Sequence, residues 1–245
     1  MRRNRGWPRS SNGASSLHLR WVWGAHPPPL VELRATLTVL DATPSDDLRF
    51  WALQASFVED GRRFGAGHVG LQRHAGHPGA GAANWGGYAA GGGELAGTES
   101  PLPSARDNPN TRDLRWEPGR PYRLAIRRGV EGWAGCVDDV VLRELLPGGT
   151  HLEQAVVWSE VFAPCDHVHA VRWSDLAGCT ADGAAVQPEA VAVNYQTWSD
   201  GGCTNSDAFA DGEGGVVQRT GVRRRTPQGA VLRLGCTRAG RRRAT

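Results

Sequence analysis

A chain of 245 residues that is 40% apolar and 22% charged, with a formal net charge of only +3, has the composition of a folded protein. It excludes both a disordered polyelectrolyte and a uniformly basic nucleic-acid binder. With 33 glycines and 15 prolines, the chain is expected to turn often and to be built from short strands. No apolar run reaches the roughly 18 residues a membrane-spanning helix needs. The arginine-rich start has no apolar stretch behind it, so no secretory leader is expected, although an upstream start would hide one.

All 28 basic residues are arginine, and they cluster at "MRRNR" and "RAGRRR", leaving the middle near neutral. Both ends read as solvated tails, with no nucleic-acid partner. Residues 1–30 are polar and proline-punctuated ("AHPPPL"), and are expected to be an N-terminal tail or an edge strand through "LHLRWVW". From residue 31 the pattern takes period two. "VELRATLTVL" puts Val31, Leu33, Ala35, Leu37 and Val39 on one face and Glu32, Arg34, Thr36 and Thr38 on the other.

"RFWALQASFVE" places Trp51, Leu53, Ala55 and Phe57 on one side, and "DGRRFGAGH" supplies a hairpin turn before "HVGLQRH". "RPYRLAIRR", "GWAGCVDDVVLREL", "EQAVVWSEVFA", "HAVRWSDL", "AVAVNYQTW", "GGVVQRT" and "AVLRLG" complete about ten strand segments separated by Gly, Pro, Asp and Asn clusters. No segment sustains a 3.6-residue period. The expected fold is therefore all-β, an antiparallel β-sandwich of the jelly-roll kind over residues 31–235, followed by a basic tail over 236–245.

Five cysteines without a C-x-x-C pair argue against a zinc ribbon. Cys165 and Cys203, each in a turn-like segment, are the best pair for a disulfide, with five reduced thiols as the alternative. Trp51, Trp133, Trp158 and Trp173 fall in strand segments and are expected in the core.

The series "WALQASF", "GHVGLQ", "NWGGY", "RPYRLAIRRG", "GWAGCVDD", "VVWSEVFAPCD", "VRWSDL", "VNYQTWSDGGCTN" and "VVQRTGVRRRTPQGAVLRL" resembles an uncharacterised bacterial family carrying a domain of unknown function. Its members look like concanavalin-type sandwiches. The resemblance runs from about residue 31 to 235 and implies the fold, with no catalytic residue to carry over.

Two packed sheets present a groove on a concave face, and such grooves suit extended glycans. Sugar rings stack on Trp and Tyr while their hydroxyls pair with amides and acids. The run "NWGGYAAGGGELAGTES" places Trp85 and Tyr88 among glycines beside Asn84, and "NYQTWSDGGCTN" gathers Asn194, Gln196 and Trp198. These six are the expected ligand-binding residues of a lectin-like module.

An enzyme on the same groove is the alternative, either a polysaccharide lyase or a cyclase-like catalyst on an apolar metabolite. "GLQRH" sets Gln72 and His74 at alternate positions, with Tyr195 as proton donor. A protein-interaction scaffold is the third reading. Asp138 and Asp139 are adjacent and read as a turn, and Glu160 is a lone acid in an apolar strand. For metals, His167 and His169 near Asp166 form a partial zinc set, and Asp207, Asp211 and Glu213 in a glycine-rich stretch form a calcium-type oxygen set without EF-hand spacing. No organic cofactor is expected.

Overall fold

Alternating β-branched and leucine residues cut by Gly and Asp turns leave the chain no way to bury apolar surface except between sheets. The structure, a computed structural model, describes residues 6–25, 27–42 and 46–235. The "MRRNR" start, Cys236 and the basic C-terminal tail lie outside the described residues.

Chain order is β1 (Ser15–Val22), β2 (Leu30–Ala42), β3 (Arg49–Glu59), β4 (Arg62–Arg73), a 3-10 turn (Pro78–Ala80), β5 (Gly81–Ala89), β6 (Ser104–Ala105), β7 (Asn108–Arg112) and β8 (Pro121–Arg128). It continues with β9 (Trp133–Val137), β10 (Val140–Leu145), β11 (His151–Val161), β12 (His169–Thr180), β13 (Ala185–Val186), β14 (Ala190–Tyr195), β15 (Ser206–Ala210), β16 (Val216–Thr220) and β17 (Val231–Arg233).

All pairings among these strands are antiparallel, and they trace two layers. One runs β17-β14-β1-β11-β3-β4-β5-β7-β6. The other runs β15-β16-β12-β2-β8-β9-β10, with β13 added beside β12. A bridge from Leu152 to Leu30 links the layers. This is the expected all-β antiparallel sandwich. No helix among the described residues is long and apolar enough to cross a membrane.

The core lies between the layers, with Trp51, Trp85, Trp133 and Trp173 fully buried among Leu33, Leu37, Leu53, Leu71, Leu124 and Val157. The hairpin from β3 to β4 turns at Asp60 (φ 49°) and Gly61 (φ 74°), the left-handed pair that an Asp-Gly turn supplies. β1 is hydrogen-bonded on both sides, to β11 and to β14. Leu17, Leu19 and Trp21 anchor it in the core, so this stretch is an internal strand, unlike the tail or edge expected from its polar surroundings.

Cys165 and Cys203 form the disulfide, their Cα atoms 5.9 Å apart across 38 residues of chain. It ties the segment after β11 to the segment before β15. Closing a loop of that length contributes about 2–4 kcal/mol, chiefly by restricting the unfolded chain. Thermal unfolding with a phosphine reductant is expected to shift down by several degrees, and a Cys165→Ala/Cys203→Ala variant should show the lower midpoint with or without reductant. An unchanged midpoint would mean that the Asn205 amide, which donates to the Cys165 carbonyl and to Asp166, holds these segments by itself.

Candidate functional site

The outer face of the first layer carries the residues that alternation sends away from the core, and the registers align them in rows. One row crosses Asn194, His18, Trp158, Ala52, Gly70, Asn84 and Thr111. The next crosses Ser16, Glu160, Phe50, Gln72 and Ala82, and a third crosses Val156, Gln54, His68 and Gly86. Small residues at Ala52, Gly70, Ala82 and Gly86 sit between large ones, so the face is hollow at its centre. A Cβ on Gly86 would lie 3.0 Å from the Asn110 side chain, so the glycine lets that amide lean over the floor.

The hollow is a groove of about 450 Å³. Its floor is an aromatic cluster: Phe50 meets Trp158 edge-on at 4.8 Å, and the His68 and His18 rings stand 5.7 and 6.2 Å from Trp158. Trp158 Nε1 donates to Gln54 Oε1 at 3.2 Å. On the wall, Asn84 Nδ2 donates to Thr111 Oγ1 at 2.9 Å, while Asn84 Oδ1 is buried and has no donor. Gln72, Asn108, Asn110 and Glu94 also line the groove, and Tyr88 stands 54% exposed on it.

Burial sets the electrostatics. His68 is held neutral by desolvation, its pKa down to about 4, and His18 reaches about 4 through desolvation and the neighbouring Arg20. Desolvation also raises Glu160 above the usual carboxylate value, against the opposing hydrogen bond from Ser16 Oγ at 2.7 Å. No arginine is among the residues lining the groove. At neutral pH its inner surface is therefore amide-rich and carries no cation.

Of the expected ligand-binding residues, Asn84 and Tyr88 are on this groove. Trp85 is not: it is 0% exposed and donates from Nε1 to the Trp133 carbonyl at 3.1 Å. The glycines here do not make a loop: residues 81–89 form strand β5, and alternation between Asn84 and Gly86 points Trp85 inward. Gly135 and Gly67 make room for the indole, since a Cβ at either would lie 2.4 or 2.7 Å from it.

Asn194 Oδ1 accepts from Gln228, and Gln196 is spent on the Ser16 N–H and the Asp200 carbonyl. Trp198 is 45% exposed on a turn that does not line the groove. The lyase trio is dispersed. Gln72 lines the groove, His74 lies past the end of β4 against Arg106, and the Tyr195 hydroxyl is buried against Asp207 and the Thr226 carbonyl.

The calcium-type residues also diverge. Asp207 accepts from the Thr226 N–H inside the fold, Asp211 is paired with Arg172, and Glu213 is exposed. His169 is buried, with Thr220 Oγ1 2.6 Å from its Nδ1. Among the described residues no group of three or more His, Cys, Asp or Glu is placed to hold a metal.

Gln54, His68, His18, Asn108 and Asn110 were not singled out from sequence. The usable signal was polar residues on the outer face of strands whose inner face is continuously apolar, as in Phe50-x-Ala52-x-Gln54 and His68-x-Gly70-x-Gln72.

No family model matches this chain, and no curated protein matches it. Among solved structures it is similar to SCP-B, a member of the Eqolisin family of peptidases in complex with the tripeptide Ala-Ile-His, and to scytalido-glutamic peptidase with a peptide-based transition state analog. Each is 8% identical, with TM-score 0.42, covering 90% of this chain and 100% of the other. A further structure of scytalido-glutamic peptidase with a transition state analog inhibitor is 10% identical, with TM-score 0.39, covering 89% and 98%. Identity this low carries no residue-by-residue correspondence.

Proposed function

We propose that the groove binds an extended, uncharged, hydroxyl-bearing polymer, a neutral glycan. The observation that carries the reading is Asn84 Oδ1, a buried acceptor without a donor on the wall of an amide-lined groove. A buried acceptor left alone costs about 1–3 kcal/mol, and a ligand hydroxyl offsets that cost on binding. Tyr88 adds an exposed ring for the apolar face of a sugar. The lack of arginine along the lining disfavours uronates, whose carboxylates need a cation.

Titration calorimetry with neutral gluco-, xylo- and manno-oligosaccharides is expected to show saturable binding, and polygalacturonate none. Asn84→Ala and Tyr88→Ala should each weaken binding about tenfold, the worth of one good hydrogen bond or one stacking contact. Silence across the neutral panel, or binding untouched in both variants, would overturn the reading.

Glu160 favours a second reading, an enzyme on the same groove. A carboxyl that burial makes a weaker acid than an ordinary carboxylate can give its proton to a leaving oxygen and take one back from water. Under this reading reducing ends accumulate when the bound oligosaccharide is incubated with the protein, and Glu160→Gln slows their release by about 10²–10⁴. Binding without product leaves the module reading alone in force.

A further inference from the structure

A second cavity, of about 500 Å³, opens at the end of the sandwich remote in chemistry from the groove. It forms where β11 leaves its regular ladder. The register with β3 shifts between Glu153 and Val156, with Gln154 at φ 52°. The pairing of β1 with β11 stops at Arg20 and Val156, while β2 pairs with β11 only through Leu30 and Leu152. The cavity lies beside that bulge and the single bridge that links the layers there.

Trp21, Trp23, Leu30 and Leu33 form one side of the opening and the proline run Pro27–Pro29 another. Trp21 and Trp23 meet edge-on at 5.7 Å. These walls are stiff and offer no backbone donor from proline. The polar side chains on the wall already have partners: His151 lies 3.3 Å from Glu153 Oε1, and Gln154 Oε1 accepts from Ser56 Oγ at 3.0 Å. Trp21 is different. It is 7% exposed, and its indole Nε1–H is buried with no acceptor.

A buried indole N–H is normally satisfied. The rule holds for Trp85, Trp116, Trp158 and Trp173, which each donate to a carbonyl or an amide oxygen; the Trp51 and Trp133 indole N–H groups are also buried without an acceptor, but neither residue lines this cavity. An apolar, tryptophan-walled cavity of ligand size, one of whose lining residues, Trp21, carries an unpaired donor, fits a neutral, flat, apolar molecule carrying a single acceptor. We infer that this cavity is a second ligand site, specific for an apolar aryl or acyl carbonyl compound, with the Trp21 N–H donating to the carbonyl oxygen. The site is independent of the groove.

The test uses 2-acetylnaphthalene and its hydrocarbon match, 2-ethylnaphthalene, by equilibrium dialysis against the full chain. The wild-type protein is expected to retain the ketone at least tenfold more strongly than the hydrocarbon. Trp21→Phe keeps an aromatic ring and removes the donor, so it should bring the two to equal retention. Ala155→Leu, which pushes bulk into the cavity from β11, should abolish retention of both. Failure of the wild-type protein to retain the ketone, equal retention of ketone and hydrocarbon, or a preference that survives in Trp21→Phe overturns the inference. Should Trp21→Phe not fold, the wild-type preference and Ala155→Leu still decide the matter.

Discussion

Acidification from pH 6.5 toward pH 4 is expected to remove most of the folding stability of this protein. Desolvation lowers His68 and His18 from 6.5 to about 4, and desolvation with nearby positive charge lowers His169 to about 3. In the unfolded chain all three titrate near 6.5. Between the two sets of values the unfolded state binds up to three more protons, so stability rises with pH across this window and falls as pH drops through it.

Each histidine accounts for about 3 kcal/mol over the full window, and together for about 10 kcal/mol, against the 5–15 kcal/mol that a domain of this kind has in total. Glu160 works in the opposite sense. Its pKa is raised in the fold, so its contribution is present at low pH and is lost as pH rises past the ordinary carboxylate range, but it is one group against these three and His77, which desolvation and the neighbouring His74 and Arg106 also lower to about 4. Urea unfolding at half-unit steps from pH 7.5 to 4.5 should give a steeply falling midpoint. His68→Gln should flatten the curve by about a third. A midpoint independent of pH above 5 would show that these imidazoles are not desolvated in the fold.

Replacing Trp85 by alanine is expected to cost about 3–5 kcal/mol, the range for deleting a buried tryptophan whose surroundings relax only in part. The indole fills the space between Gly67 and Gly135, meets Phe57 edge-on at 6.4 Å and donates to the Trp133 carbonyl. Neither glycine has a side chain that can swing into the hole. Tyr88→Ala, three residues along the same strand but on the outer face, should change stability by less than about 1 kcal/mol. Denaturant midpoints of the two variants separate a core tryptophan from a ligand-stacking one. A stable Trp85→Ala protein that has lost only ligand binding would reverse the assignment.

The two cases mark what was legible in the sequence. Period-two alternation in "VELRATLTVL" and "RFWALQASFVE", the Asp60-Gly61 turn and the Cys165–Cys203 pair all act through local geometry or a short list of options, and the structure bears each of them out. "NWGGY" misled because glycine marks both a turn and the close approach of a large ring from another strand. Only the pairing of β5 with β4, and the facing Gly135 of β9, tells which applies.

His74 misled differently. Alternation keeps it with Gln72 only while the strand continues, and β4 ends at Arg73, after which the His77 N–H bonds the His74 carbonyl and the chain turns. Of the groove's polar residues, Asn84 and Tyr88 were named because they lie in one run, Gln72 for its alternation with His74 and Glu160 as a lone acid in an apolar strand. Gln54, His68 and His18 were not, because three separate strands bring them together.

The origin of the groove's two halves in the chain has a kinetic consequence. Gln54, Gln72 and Asn84 belong to the consecutive hairpins β3-β4-β5, whose contacts are local. Ser16 and Glu160 meet across 144 residues, and the Ser16 N–H reaches Gln196 across 180. Contacts so distant in sequence carry the largest loop-closure entropy and form slowly. The amide wall can therefore assemble while the chain is still incomplete, whereas the acidic side exists only once the beginning of the chain has been seated between β11 and β14. A ligand that spans both halves recognises only a chain that has finished folding.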